Sequence, residues 1–133
     1  VASNLSGRSG LPAWQGKRPE AMNPILAAGL HGLIAGSIAR APRRRPRFNG
    51  YSAFGAPVIE EVLYRGLLSR SLPEGMGAVM FAADHVLANR GHNFFDVLLG
   101  GILYEKARKQ YGLLGAIGAH CAHNLAVQFA QRR

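Results

Sequence analysis

Residues 22–39, MNPILAAGLHGLIAGSIA, hold no Asp, Glu, Lys or Arg, and the next eleven, RAPRRRPRFNG, hold five arginines and two prolines. An uncharged run of that length approaches a minimal membrane span. The prolines stop the helix, and an apolar span followed at once by arginines is the pattern of a cytoplasmic loop. Similar runs recur. MGAVMFAA within 74–89 and YGLLGAIGA within 111–130 are apolar around the whole helical circumference, which demands burial on every side. A chain of 133 residues makes one domain, and its surface-to-volume ratio is too high to bury several such helices in water. Lipid removes that difficulty. The pattern therefore predicts a polytopic transmembrane helical bundle, although the mean hydropathy is near zero.

Residues 1–21 are polar, rich in Gly, Ser and Pro, and without period, so they read as an N-terminal tail. After 22–39, helices are expected over 51–72, 74–89, 93–109 and 111–130, the first ended by SLPEG, the second by RGHN and the third with a basic end. No stretch alternates with period 2 for long and β-branched residues are few, which argues against strands. The expectation is an all-α fold of about five helices: a tail over 1–21, and a membrane domain over 22–133 with its motifs in 51–130. Sixteen Lys and Arg against seven Asp and Glu, a net charge of +9, call for an anionic partner, either nucleic acid or a membrane surface. The single cysteine, Cys121, excludes an internal disulfide framework and a CxxC zinc site.

The stretch EEVLYRG, Glu60 to Gly66, places three charges inside an apolar segment. Buried charge is costly unless paired, so the stretch is either a solvated helix face or a site. Glu61 and Arg65 are four apart on one face and able to pair. Glu60 lies about 100° further round the helix, outside that pair and placed to take a proton. Phe81 and His85 share a face of the next helix, and His120 shares one with Asn124, with His123 nearby. Taken singly, each has a plain reading. Glu61–Arg65 is an ordinary ion pair, His85 and His120 are hydrogen-bonded interior histidines, and Phe81 is packing. Asn49 and Asn89 read as turn and end-cap residues, and His31, His92 and His123 are left outside the site. Taken together, the helices supply a base, two imidazoles and an amide, the inventory for activating water with or without a metal.

In order and spacing, Glu-Glu-x3-Arg (Glu60, Glu61, Arg65), Phe-x3-His (Phe81, His85) and His-x3-Asn (His120, Asn124) resemble the CPBP intramembrane proteases. That family includes the CAAX prenyl-endopeptidases and the Abi proteins of bacteriocin processing and immunity. FFDVLLGGILYEKARKQYGLLGAIGAHCAHN resembles its last two core helices, so the likeness covers about 51–130. Asp84 departs from the pattern, since a small or apolar residue is common there. The resemblance implies an endopeptidase that hydrolyses a peptide bond of a membrane-anchored protein or peptide. Glu60 would be the general base, assisted by His85. His120 and Asn124 would stabilise the oxyanion, and Glu61 and Arg65 would hold the base helix. It implies no cofactor, with zinc on Glu60, His85 and His120 left open, because a Glu and two His can bind zinc with a vacant position.

The implied partners are the lipid bilayer and the substrate, with no nucleic acid. The implied location is a prokaryotic cytoplasmic membrane. With 40–47 in the cytoplasm, Glu60, His85 and His120 fall at depths within roughly 10 Å of one another, in the cytoplasmic half. Two other readings stand beside it: a non-catalytic immunity or partner-binding membrane protein on the same scaffold, and a soluble basic nucleic-acid binder led by RRRPR.

Overall fold

The computed structural model describes residues 21–39, 47–88 and 93–132. The expected tail up to residue 20, the arginine-rich 40–46 and residues 89–92, with Asn89 and His92, lie outside them. The described residues are all-helical, with no strand.

Helix α1, Pro24–Ile38, opens where the Asn23 side chain accepts a hydrogen bond from the Ile25 N–H, with proline in the first turn. Its buried face, Ala28, Gly32 and Gly36, has the four-residue spacing of one helical ridge. That face lies on the last part of the chain at backbone contact. A Cβ added at Gly32 would sit 2.3 Å from the His123 carbonyl oxygen, so only glycine permits this approach. Small residues at a helix–helix seam are the way helices associate where lipid removes the hydrophobic drive.

Helix α2 is composite. A π-helical turn, Tyr51–Gly55, leads into the α-helical Ala56–Glu61, a second π turn, Val62–Leu67, and a 3-10 turn, Leu68–Arg70. Pro57 has no N–H and crowds the carbonyl four residues back, and the first π turn absorbs the mismatch just ahead of it. Helix α3, Met76–Leu87, buries Ala78, Phe81, Ala82 and His85 on one face. In the turn before it, Lys109 donates to Glu74 and holds that carboxyl below its usual range.

Helix α4, Phe94–Ala130, begins at an Asn93 cap that accepts from the N–H groups of Phe95 and Asp96. Gly112 interrupts it with φ 72° and ψ −167°, a conformation that essentially only glycine adopts. The chain doubles back there. A straight helix would separate residues 104 and 120 by roughly 24 Å, yet the Tyr104 and His120 rings lie 4.4 Å apart. The expected helices 93–109 and 111–130 are thus joined without a loop, and the reversal is made at a single residue. Ala28, Tyr64, Phe81, Tyr104, Ala107, Ala116 and Ala119 form the core, with aromatics from α2, α3 and α4 meeting over small residues.

Among the described residues, no helix is long and apolar enough to cross a membrane. With 15 and 12 residues, α1 and α3 rise only about 22 and 18 Å against a hydrocarbon thickness of about 30 Å. Of the other two, α2 carries the motif charges Glu60, Glu61 and Arg65, and α4 carries Asp96, Glu105, Lys106, Arg108 and Lys109. Much of the outer surface is nevertheless apolar: Leu26, Ile34 and Ile38 are 66, 51 and 79% exposed along α1.

Candidate active site

The two acids of the EEVLYRG stretch have opposite surroundings. Glu61 is fully buried and Arg65 is 2% exposed. Arg65 donates from Nη1 to Glu61 Oε1 at 3.0 Å and from Nη2 to the Gly101 carbonyl at 3.0 Å, which ties α2 to α4. Its guanidinium carbon lies 4.8 Å from the centre of the Phe81 ring and 5.5 Å from that of Tyr104. Only a flat, forked cation suits both a carboxylate and two ring faces. Glu61 Oε1 accepts a second hydrogen bond, from His120 Nδ1 at 2.9 Å. This pair points inward.

Glu60, one residue earlier, faces a cavity. Its Oε2 lies 3.7 Å from His85 Nε2 and 3.8 Å from His120 Nε2. Each imidazole is held by its other nitrogen: His85 Nδ1 donates to the Phe81 carbonyl at 2.8 Å, and His120 Nδ1 to Glu61. Both Nε2 atoms are thereby aimed at the same carboxylate. The rings are also fixed by packing. Phe81 lies 4.3 Å from His85 and 5.5 Å, edge-on, from His120, while Tyr104 stacks on His120 at 14° between planes.

The cavity holds about 340 Å³ and is lined by Glu60, His85, His120 and Asn124 among others. Asn124 donates through Nδ2 to the Ser52 carbonyl at 2.8 Å, which anchors it to the first turn of α2 and leaves its second N–H for another acceptor. Gln128, one turn on, braces the same corner through Ser52 and Asn49. Asn49 also accepts from the Ser52 N–H, as a turn residue does. The four sequence-predicted candidates therefore line one cavity, with Glu61 and Arg65 directly behind it. Asp84 is exposed on α3 while His85 beside it is buried, so it lies away from the site.

Three further side chains were not part of the sequence reading of the site. Tyr104 lines the cavity and carries the His120 ring. His123 and Asp96 line it as well. His31 donates from Nε2 to Asp96 Oδ1 at 2.7 Å, and its ring lies 4.9 Å from that of His123. Asp96 had a visible signal, an acid inside the apolar FFDVLLGG. His31 had none, because its partner is 65 residues away.

Among the described residues, no group of three or more His, Cys, Asp or Glu is disposed to hold a metal ion.

The family model of the Rce1-like type II CAAX prenyl endopeptidases matches residues 48–126, more than half of the chain. The protein belongs to that family. The match includes Glu60, Glu61, Arg65, His85, His120 and Asn124, and excludes α1. No curated protein and no solved structure was found to match.

Proposed function

We propose that the protein is an intramembrane endopeptidase that uses Glu60 as the base for a hydrolytic water, acting on a membrane-associated protein or peptide. The observation that carries this reading is Glu60 Oε2 lying between the Nε2 atoms of His85 and His120 in a cavity shared with Asn124. A carboxylate 3.7 Å from an imidazole nitrogen is at the right separation for one water to contact both.

In this scheme Glu60 takes the proton of a water oriented by His85, whose Nδ1–H is committed to Phe81 and whose Nε2 carries the lone pair. The water oxygen bonds to the scissile carbonyl carbon, and the carbonyl oxygen becomes an oxyanion. Asn124 donates its second N–H to that oxygen. His120 donates from Nε2 while Nδ1–H stays on Glu61, so both of its ring nitrogens carry hydrogen at that stage. Donors held in place before the charge develops do not have to reorganise when it does. Collapse of the intermediate breaks the C–N bond, and Glu60 returns its proton to the leaving amine.

Membrane embedding is supported by the apolar outer face of α1, by small-residue packing of α1 on α4, and by the inward placement of every ionisable group of the site. A water-soluble protein of this size rarely exposes so continuous an apolar surface. The direct test is cleavage of membrane-anchored candidate substrates by purified protein, wild type against Glu60→Ala. Binding without cleavage by wild type would favour the immunity or partner-binding reading.

A further inference from the structure

We propose that Asp96 is a specificity residue of this cavity and selects substrates with a lysine or arginine a few residues from the scissile bond. The inference takes its reaction from the endopeptidase reading above, whereas its binding arm stands apart from that reading.

Charge distribution is the first ground. The chain has 16 Lys and Arg and only seven Asp and Glu. No lysine or arginine lines the cavity among the described residues, while Glu60 and Asp96 both do. A strongly basic protein thus presents an acidic interior surface to its substrate, where a cation is attracted and an acid repelled.

Position is the second. Asp96, Gly100 and Tyr104 line the cavity at four-residue spacing, one face of the first half of α4. Asp96 lies roughly 12 Å along the helix from Tyr104, whose ring marks the level of His120. An extended peptide covers that distance in about three to four residues. A long cationic side chain placed about two to four residues from the cleaved bond would reach the carboxylate.

The third ground is how Asp96 is held. His31 is 11% exposed and sits behind it, while the Asp96 side chain is 39% exposed. His31 Nε2 donates to Oδ1, and His31 Nδ1 has no hydrogen-bond partner. The contact fixes the orientation of the Asp96 carboxylate, whose side chain stays 39% exposed and therefore open to a ligand. Complementing the positive end of α4 would not by itself account for this. Asn93 already caps that end, and a helix-end acid needs neither a buried histidine from α1 nor a place in the cavity wall. The contact joins α1, outside the family match, to Asp96 within it.

The experiment uses prenylated CAAX peptides with lysine, norleucine or glutamate placed singly from four residues before the prenylated cysteine to the last residue after it. Cleavage is measured with wild type, Asp96→Asn, Asp96→Lys, His31→Gln and His31→Phe. Binding of the same peptides is measured on a Glu60→Gln chain with and without Asp96→Asn. The expected lysine-over-norleucine preference in kcat/KM is roughly tenfold at one or two positions, the contribution of one charge-assisted hydrogen bond at a half-exposed carboxylate. It should fall to about one in Asp96→Asn, shift toward glutamate in Asp96→Lys, and survive better in His31→Gln, which keeps a donor, than in His31→Phe. A lysine preference unchanged by Asp96→Asn, or a parallel loss on all peptides, overturns the proposal. If no peptide is cleaved, the endopeptidase reading fails. Asp96 is then judged by binding alone: a lysine preference lost in Asp96→Asn upholds it, and no preference overturns it.

Discussion

The Tyr104 ring lies parallel to the His120 imidazole, with centroids 4.4 Å apart and planes at 14°, although sixteen residues of one helical run separate them. The contact exists because α4 folds back at Gly112. It places a flat, fully buried surface against the ring that turns Nδ1 to Glu61 and Nε2 to Glu60. The first half of α4 therefore serves as the backing of a site whose named motifs lie elsewhere.

Replacing Tyr104 separates stacking from the hydroxyl. Tyr104→Phe keeps the ring and is expected to hold kcat within about threefold, whereas Tyr104→Leu should lower it up to about tenfold, the scale of one aromatic pair. KM should change less than kcat, since the effect acts through the orientation of His120. Steady-state kinetics on a single peptide substrate checks this.

The base and the oxyanion donor should fail differently. Glu60→Gln keeps the shape and removes the base, so turnover is expected to vanish while substrate still binds. Asn124→Ala removes one donor and should cost roughly 10²–10³ in kcat. Wild-type turnover in Glu60→Gln would end the water-activation scheme.

The buried pair behind the site carries stability. Arg65→Leu leaves Glu61 buried without its cation and is expected to cost about 3–5 kcal/mol. Arg65→Lys restores the charge but not the fork that serves both Glu61 and the Gly101 carbonyl, and should recover only part of that loss. Thermal unfolding of detergent-solubilised protein measures both.

Gly112→Ala forces a Cβ into a conformation with φ 72° and should cost about 1–3 kcal/mol. Because the same residue sets the Tyr104–His120 contact, turnover of the folded fraction should fall as well. An alanine variant with wild-type melting and activity would show that the reversal does not depend on this glycine.

Two treatments address the surroundings of the chemistry. Carbonate washing should leave the protein in the membrane pellet, as expected of an apolar outer face covered by lipid. A chelator should leave turnover unchanged if the side chains act alone, whereas loss restored by added zinc would require a metal in the scheme.

Much of this was legible along the chain. A residue and its fourth neighbour share a helix face wherever the helix sits, so Glu61 with Arg65, Phe81 with His85 and His120 with Asn124 could be paired from spacing alone. Helix character followed from apolar runs without alternation, whereas Gly112 lay inside an expected helix and its reversal did not show in the spacing. Local order cannot express distance between helices. That Glu60 lies outside the Arg65 pair follows from the helical period, but that it meets His85 and His120 depends on how α2, α3 and α4 pack.

The amino-acid sequence by itself determined the helical elements, the inward motifs and the family to which they belong. Tertiary structure alone decided that Gly112 reverses the chain within one residue, that Tyr104 backs His120, and that His31 reaches Asp96 across 65 positions. The physical reason is that helical periodicity is a local property set by neighbouring residues, whereas these contacts arise from small-residue seams such as Gly32 on His123 that bring distant backbones together.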